Sequence, residues 1–79
     1  MTEEAVKGLI ESGIENAHVE VADTRGGGDH FQAVVISDTF EDMSLVQRHR
    51  MVYESLGSLM TNEIHALQLS TLTKSEWKK

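Results

Sequence analysis

The stretch FQAVVI, residues 31–36, constrains the fold more than any other part of this chain, because it is almost continuously apolar. A strand that is apolar on both sides is usually a central strand with a neighbouring strand on each edge. The chain has only 79 residues, so we expect one domain, residues 1–79, with one thin core. Such a core leaves little room for a deep active-site cleft.

Two further patterns precede this strand. Thr2 is a suitable N-cap for a first helix, and Gly13 is a candidate for its end. Apolar and polar residues alternate between residues 17 and 22, as in a half-buried strand. Residues 25–29, which include three consecutive glycines, then form a turn, so the two strands make a hairpin. The apolar face of the first helix consists of Val6, Leu9, Ile10 and Ile14.

Two capping boxes mark the later helices. Ser44 and Gln47 form an S-x-x-Q box, which starts the main helix within a residue or so of Leu45. Thr73 and Glu76 form a second box, which opens a short last helix. The predicted apolar face of the main helix consists of Leu45, His49, Val52, Leu56, Leu59 and Met60.

Between these helices, alternation from residue 64 to residue 71 predicts a third strand that begins at Ile64. The element order is therefore α-β-β-α-β-α, which is an α+β fold. The second and third strands are separated by about 25 residues, mostly helix, and this is long enough for a crossover to a parallel neighbour. We expect a mixed three-stranded sheet with a right-handed crossover and with the helices packed on one face.

The composition limits the classes of function. The chain has no cysteine, so it forms no disulfide and cannot bind an iron–sulfur cluster through its own thiolates. Its formal net charge of −6 opposes non-specific binding to a phosphate backbone. It lacks a run of about 18 apolar residues that would span a membrane, and its acidic start lacks the features of a secretory signal. The expected location is the cytoplasm, or an organelle if a transit peptide has been removed.

An ordered set of motifs resembles those of BolA-like proteins. The set comprises Phe40–Glu41 with Ser44–Leu45, Arg48–His49–Arg50 with Val52–Tyr53, Ile64–His65–Ala66–Leu67, and Glu76–Trp77, and Asp29–His30–Phe31 also fits. The resemblance covers residues 20–77 at least and implies a class II KH-like fold. It further implies a small non-enzymatic protein that forms a heterodimer with a monothiol glutaredoxin. The two chains share a 2Fe-2S cluster that serves iron–sulfur trafficking and iron regulation, and some relatives are transcriptional regulators in the stress response.

The resemblance makes His65 the first candidate for a metal ligand. In BolA-like proteins the histidine of the I-H-A-L motif binds the cluster, and the other ligands come from the cysteine of the glutaredoxin and its glutathione. The isolated chain is then expected to hold no cluster. A neutral imidazole binds iron well, and histidine in place of thiolate raises the potential of a cluster. The structural alternative is a histidine at the margin of the core, hydrogen-bonded to the backbone.

His30 is the second candidate ligand. BolA-like proteins often carry another Cys or His ligand in the loop of the first hairpin, but here that loop, residues 24–29, contains neither. His30 begins the next strand and would reach the site if the glycines let the loop fold back. Two alternatives remain open: His30 is a solvent-exposed strand residue, or His65 is the single ligand from this chain.

Arg48 and Arg50 support a rival hypothesis, a KH-like regulator that binds nucleic acid. Two arginines near the start of a helix can contact phosphate, and DNA is the partner in this case. However, the chain has no G-x-x-G motif, and its net charge has the wrong sign. The periodicity also places His49 towards the sheet. The alternative role of these residues is structural, or is the docking of a partner.

The sequence gives no support to a catalytic function. Ser37 and Asp38 are adjacent, but no feature of an oxyanion hole accompanies them. We therefore expect no enzyme. For the isolated chain we expect either a monomer or a weak homodimer.

Overall fold

The computed structural model describes residues 1–62, 64 and 66–78. Its elements are α1 (Glu3–Gly13), β1 (His18–Asp23), β2 (His30–Ile36), a 3-10 helix (Asp38–Phe40), α2 (Leu45–Leu56), α3 (Leu59–Asn62), β3 (Ala66–Leu72) and α4 (Lys74–Trp77). This order confirms the predicted α-β-β-α-β-α arrangement and adds the 3-10 helix and α3. Among the helices of the described ranges, none is long and apolar enough to cross a membrane.

The three strands form one mixed sheet in the order β1-β2-β3. β1 runs antiparallel to β2, and β3 runs parallel to β2. The apolar strand is therefore central, as the sequence predicts. One face of the sheet carries Val19, Phe31, Ala33 and Val35, all at most 1% exposed, into the core. The helices and the segments next to them contribute Val6, Ile10, Ile14, Phe40, Val52, Leu56 and Ile64 to the same core.

The first helix ends at Gly13, as predicted, but the reason is different. The next residue, Ile14, leaves the helix in an extended conformation, and its N–H still bonds to the carbonyl of Ile10. A Cβ added at Gly13 would lie only 2.5 Å from the Cβ of Ser55 in α2. Gly13 therefore permits the close approach of α1 to α2. Leu9, predicted on the apolar face, is 36% exposed.

The capping box of α2 is present in full, because Ser44 and Gln47 exchange hydrogen bonds between side chain and backbone. The predicted apolar face includes Leu59 and Met60, but α2 ends at Leu56 and these two residues belong to a separate helix. The chain leaves the helix at Gly57, whose φ of 57° lies in the left-handed region that glycine adopts without strain. The short helix α3 then begins at Leu59.

The third strand starts at Ala66, two residues later than predicted, and Ile64 is instead fully buried in the core. The predicted alternation of β3 is confirmed, since Leu67 and Leu69 pack against the core while Gln68 and Ser70 are exposed. The box that opens α4 is confirmed as well. The right-handed crossover stays a prediction.

Candidate functional site

His30 is the first residue of β2, and the parallel pairing of the sheet places it opposite Ala66, the first residue of β3. The N–H of Ala66 also donates to the carbonyl of Asp29, at 3.3 Å. Ala66 directly follows His65 in the sequence, while His65 itself lies outside the described residues. The structure therefore brings the Asp29–His30–Phe31 motif beside the last two residues of the I-H-A-L motif. The alternation of a single strand gives no signal for this register.

The imidazole of His30 is oriented by its neighbour in the sequence. Its Nδ1 lies 2.9 Å from Oδ1 of Asp29, and the His30 side chain is 22% exposed. A carboxylate at one ring nitrogen fixes the orientation of the ring, as partners of metal-binding histidines commonly do. His30 is thus a partly buried residue at the sheet margin, not a freely exposed strand residue. The sequence interpretation gave Asp29 no role of its own.

The hairpin loop before His30 is closed tightly by one side chain. The carboxylate of Asp23 accepts hydrogen bonds from the backbone N–H groups of Arg25, Gly26 and Gly28, at 3.1, 2.8 and 2.8 Å. Desolvation raises the pKa of Asp23, but the three N–H donors outweigh it, and the pKa lies below its usual 3.8. Gly26 and Gly28 have φ values of 75° and 78°, which let the loop fold onto Asp23.

Arg48 corrects the sequence interpretation of the main helix. It is only 8% exposed, so it is not available to a phosphate group. Its Nε donates to the carbonyl of Met43, and its Nη1 donates to the carbonyl of Thr71 and to the carboxylate of Glu76. The guanidinium also lies 5.8 Å from the centre of the Phe40 ring. Arg48 therefore ties α2 to the end of β3 and to α4.

His49 and Arg50, the two residues that follow Arg48, are less buried than Arg48. Arg50 is exposed, and His49, predicted to face the sheet, is only partly buried. The His49 ring makes an edge contact with Tyr53 at 6.5 Å, and these residues line a shallow depression with Val46 and Arg50. The buried residues of α2 are Arg48, Val52 and Leu56. Of the two arginines proposed for nucleic acid, Arg50 is therefore exposed and Arg48 is buried, and a contact with phosphate stays a prediction.

The end of the sheet away from His30 carries an aromatic contact that periodicity does not reveal. His18 at the start of β1 stacks on Trp77 of α4, with ring centres 5.4 Å apart. The same imidazole lies 2.9 Å from a carboxylate oxygen of Glu20. Within the described ranges, no group of three or more His, Cys, Asp or Glu residues is arranged to hold a metal ion.

Comparison with known proteins identifies the fold and its relatives. The family model described as BolA-like protein matches residues 9–76. A solved BolA homologue from Coxiella burnetii superposes with a TM-score of 0.86 at 41% identity, covering 100% of this chain and 99% of that one. The protein BOLA2 of Arabidopsis thaliana is 40% identical over 99% of this chain and 85% of its own length.

Two more distant relatives differ in name and length. The Escherichia coli protein named DNA-binding transcriptional regulator BolA is 31% identical over 99% of this chain and 81% of its own length. BolA-like protein 1 of the mouse is also 31% identical, and the alignment spans 61% of that longer protein. Relatives of this chain therefore include a protein named as a transcriptional regulator.

Proposed function

The chain belongs to the BolA-like protein family, and from this membership we propose that it pairs with a monothiol glutaredoxin and helps to hold a 2Fe-2S cluster between the two chains. The cluster is cargo for iron–sulfur trafficking and for iron and redox regulation. The proposal gives His65 the role of a ligand and His30 the role of a second ligand.

The observation that carries this proposal is the register of β2 and β3. His30 pairs with Ala66, so a candidate ligand lies at the end of the sheet where the I-H-A-L segment joins β3. His30 does not belong to the hydrophobic core, whose described members are apolar. The Asp29 carboxylate beside Nδ1 of His30 further supports a ring held in one orientation.

The donor set of the chain agrees with a shared cluster. A 2Fe-2S cluster takes four protein or thiol ligands, and histidine replaces cysteine at one iron in some clusters. This chain has no cysteine, so it can offer imidazole nitrogens and needs thiolates from a partner. A glutaredoxin cysteine and its bound glutathione supply ligands of that type. The hairpin loop, residues 24–29, contains neither Cys nor His, so in this proposal its role is to place His30.

The test is an anaerobic mixture of this chain with a monothiol glutaredoxin, iron, sulfide and glutathione. We expect a 1:1 heterodimer whose visible absorption and circular dichroism differ from those of glutaredoxin with its own cluster. The change should be lost in His65→Ala and weakened in His30→Ala, because each variant removes an imidazole nitrogen.

His18→Ala is the matched control, because it removes an exposed imidazole at the opposite end of the sheet. It should leave the heterodimer spectrum unchanged. If His65→Ala and His18→Ala give the same spectrum as the wild type, the ligand assignment is wrong. If no heterodimer forms with any variant, the glutaredoxin pairing itself is wrong.

A regulator that binds DNA is a second candidate, favoured by the name of the Escherichia coli relative. Because Arg48 is buried, this function would depend on Arg50 and not on an arginine pair. DNA binding that weakens steeply with salt in the wild type, and clearly less so in Arg50→Gln, would support it. Binding that is identical in the two proteins would exclude a contact between Arg50 and phosphate.

A further inference from the structure

The outer edge of β3 exposes backbone groups that the sheet does not use. The N–H of Ala66 donates to the carbonyl of Asp29, and the carbonyl of Leu72 accepts from the N–H of Ser37. Because successive residues of a strand turn their backbone groups to opposite edges, the even-numbered residues of β3 face β2. The odd-numbered residues, Leu67, Leu69 and Thr71, therefore direct their N–H and C=O groups away from the sheet.

Only part of this edge is protected. The carbonyl of Thr71 is occupied by Nη1 of Arg48, at 3.2 Å. The N–H and C=O groups of Leu67 and Leu69 have no hydrogen-bond partner in the described part of the chain. The strand ALQLSTL also contains no charged residue and no proline. Charges and prolines are the usual devices that prevent an edge strand from pairing with another chain.

The opposite edge of the sheet, formed by β1, is protected from pairing with another strand by charged side chains. Asp23 is an outward-facing residue of β1, and its N–H is bound by the carboxylate of Glu3 from α1, at 2.8 Å. Charged side chains of α1 (Glu3, Glu4 and Lys7) line a depression together with Val19 and Val21 of β1. An added strand at this edge would meet these charges. The difference between the two edges marks β3 as the one that is suited to pairing.

We propose that β3 pairs antiparallel with β3 of a second copy of this chain, about a two-fold axis at Gln68. This register places Leu67 opposite Leu69 of the partner copy and Leu69 opposite Leu67. Both are hydrogen-bonded pairs, so each unused N–H and C=O gains a partner across the interface. The result is a continuous six-stranded sheet with both helical layers on the same side.

The strand itself argues for a second copy as the occupant. Because β3 is uncharged, two identical strands meet without a like-charge pair. Arg48 at the Thr71 carbonyl blocks a shift of the partner strand towards the end of β3, which favours the register centred on Gln68. The proposed interface contains one short strand pair, which is smaller than the roughly 1,200 Å² of typical stable complexes, so we expect a weak dimer that forms only at high protein concentration.

Gln68 provides a sharp test. It is exposed on the open face of the sheet and would lie beside Gln68 of the partner copy in a non-hydrogen-bonded pair, where side chains are closest. Gln68→Lys and Gln68→Glu each place like charges across the axis, so each should abolish self-association. An equal mixture of the two variants should restore it, because the charges then attract. Gln32→Lys is the matched control, since Gln32 is the exposed register partner of Gln68 on the central strand.

The measurement is sedimentation velocity of the isolated chain from about 50 µM to about 1 mM, with amide hydrogen exchange measured by NMR at both limits. We expect association in the wild type and in Gln32→Lys, and slower exchange of the Leu67 and Leu69 amides at the higher concentration. A monomer throughout this range would overturn the proposal. So would a dimer that persists in Gln68→Lys with unchanged exchange at Leu67 and Leu69. No glutaredoxin is present, so the result is independent of the proposed cluster function.

Discussion

Replacement of Arg48 by methionine is predicted to destabilise the fold strongly, because this residue joins α2, β3 and α4. Methionine keeps much of the buried aliphatic stem but loses the hydrogen bonds to the carbonyls of Met43 and Thr71. A hydrogen bond from a charged donor contributes about 1.5 kcal/mol or more, and the two together give a loss of about 3 kcal/mol. The ion pair with the half-exposed Glu76 adds little, because solvent screens it.

Urea unfolding followed by Trp77 fluorescence and by far-ultraviolet circular dichroism measures this loss. A domain of 79 residues has a stability of about 4–12 kcal/mol, so the expected loss is a large fraction of the total. With a slope of about 1 kcal/mol per molar urea, the unfolding midpoint should fall by about 3 M. If the variant is too unstable to fold in water, added sulfate should restore a measurable transition.

Arg50→Met is the matched control, because it makes the same chemical change two residues away on the exposed side of α2. Its effect should stay within about 0.5 kcal/mol. Equal midpoint shifts in the two variants, or a shift below about 1 M for Arg48→Met, would refute the structural role derived for Arg48. The same pair of variants also separates loss of folding from loss of nucleic-acid contact.

Three further predictions follow from packing and charge. Gly13→Ala should lower the free energy of unfolding by about 1–3 kcal/mol in urea titrations, because the added Cβ would overlap Ser55. Gly8→Ala, in the same helix but with open space around it, should raise the free energy of unfolding by about 0.5–1 kcal/mol. Equal effects of the two variants would contradict the close approach of α1 to α2. Thr71→Val should stabilise the protein by about 1 kcal/mol in the same assay, because the buried hydroxyl has no hydrogen-bond partner in the described part of the chain. A loss of stability in this variant would show that the hydroxyl is hydrogen-bonded. Hydrogen bonds from the Thr73 backbone and from Arg48 hold the pKa of Glu76 below its usual 4.5. The contribution of Glu76 to stability is therefore fully present above pH 4.5 and is lost as the pH falls through the lower pKa of the folded state. The thermal unfolding temperature of Glu76→Gln should depend less on pH below 4.5 than that of the wild type.

The elements of the fold could be predicted because their signals are local. Each capping box joins residues three positions apart. The alternation of β1 and β3 and the apolar run of β2 are read within six or seven residues. The assignment of the buried side of α2 failed because a charged side chain is buried there. The pattern assigned the sheet-facing side of α2 to His49, because an arginine was taken as a solvent residue, yet Arg48 occupies that side with Val52 and Leu56.

For the candidate site, the sequence predicted which residues take part but not how they lie relative to one another. The motif resemblance singled out His30 and His65, and the parallel register then placed His30 beside Ala66. His65 lies outside the described residues, so its role stays a prediction. Arg48 is buried, so Arg50 is the exposed arginine of the nucleic-acid hypothesis, which stays a prediction.

The sequence by itself determined the order of helices and strands, the central position of β2 and the two capped helices. Only the tertiary structure decided which residue joins α2 to α4, why a side chain at position 13 would not fit, and which edge of the sheet has backbone groups open to pairing. Hydrophobic spacing and capping act between residues a few positions apart, so a linear pattern records them. The contacts of Arg48, Gly13 and β3 connect segments far apart in the chain, and their partners are fixed only when the elements pack together.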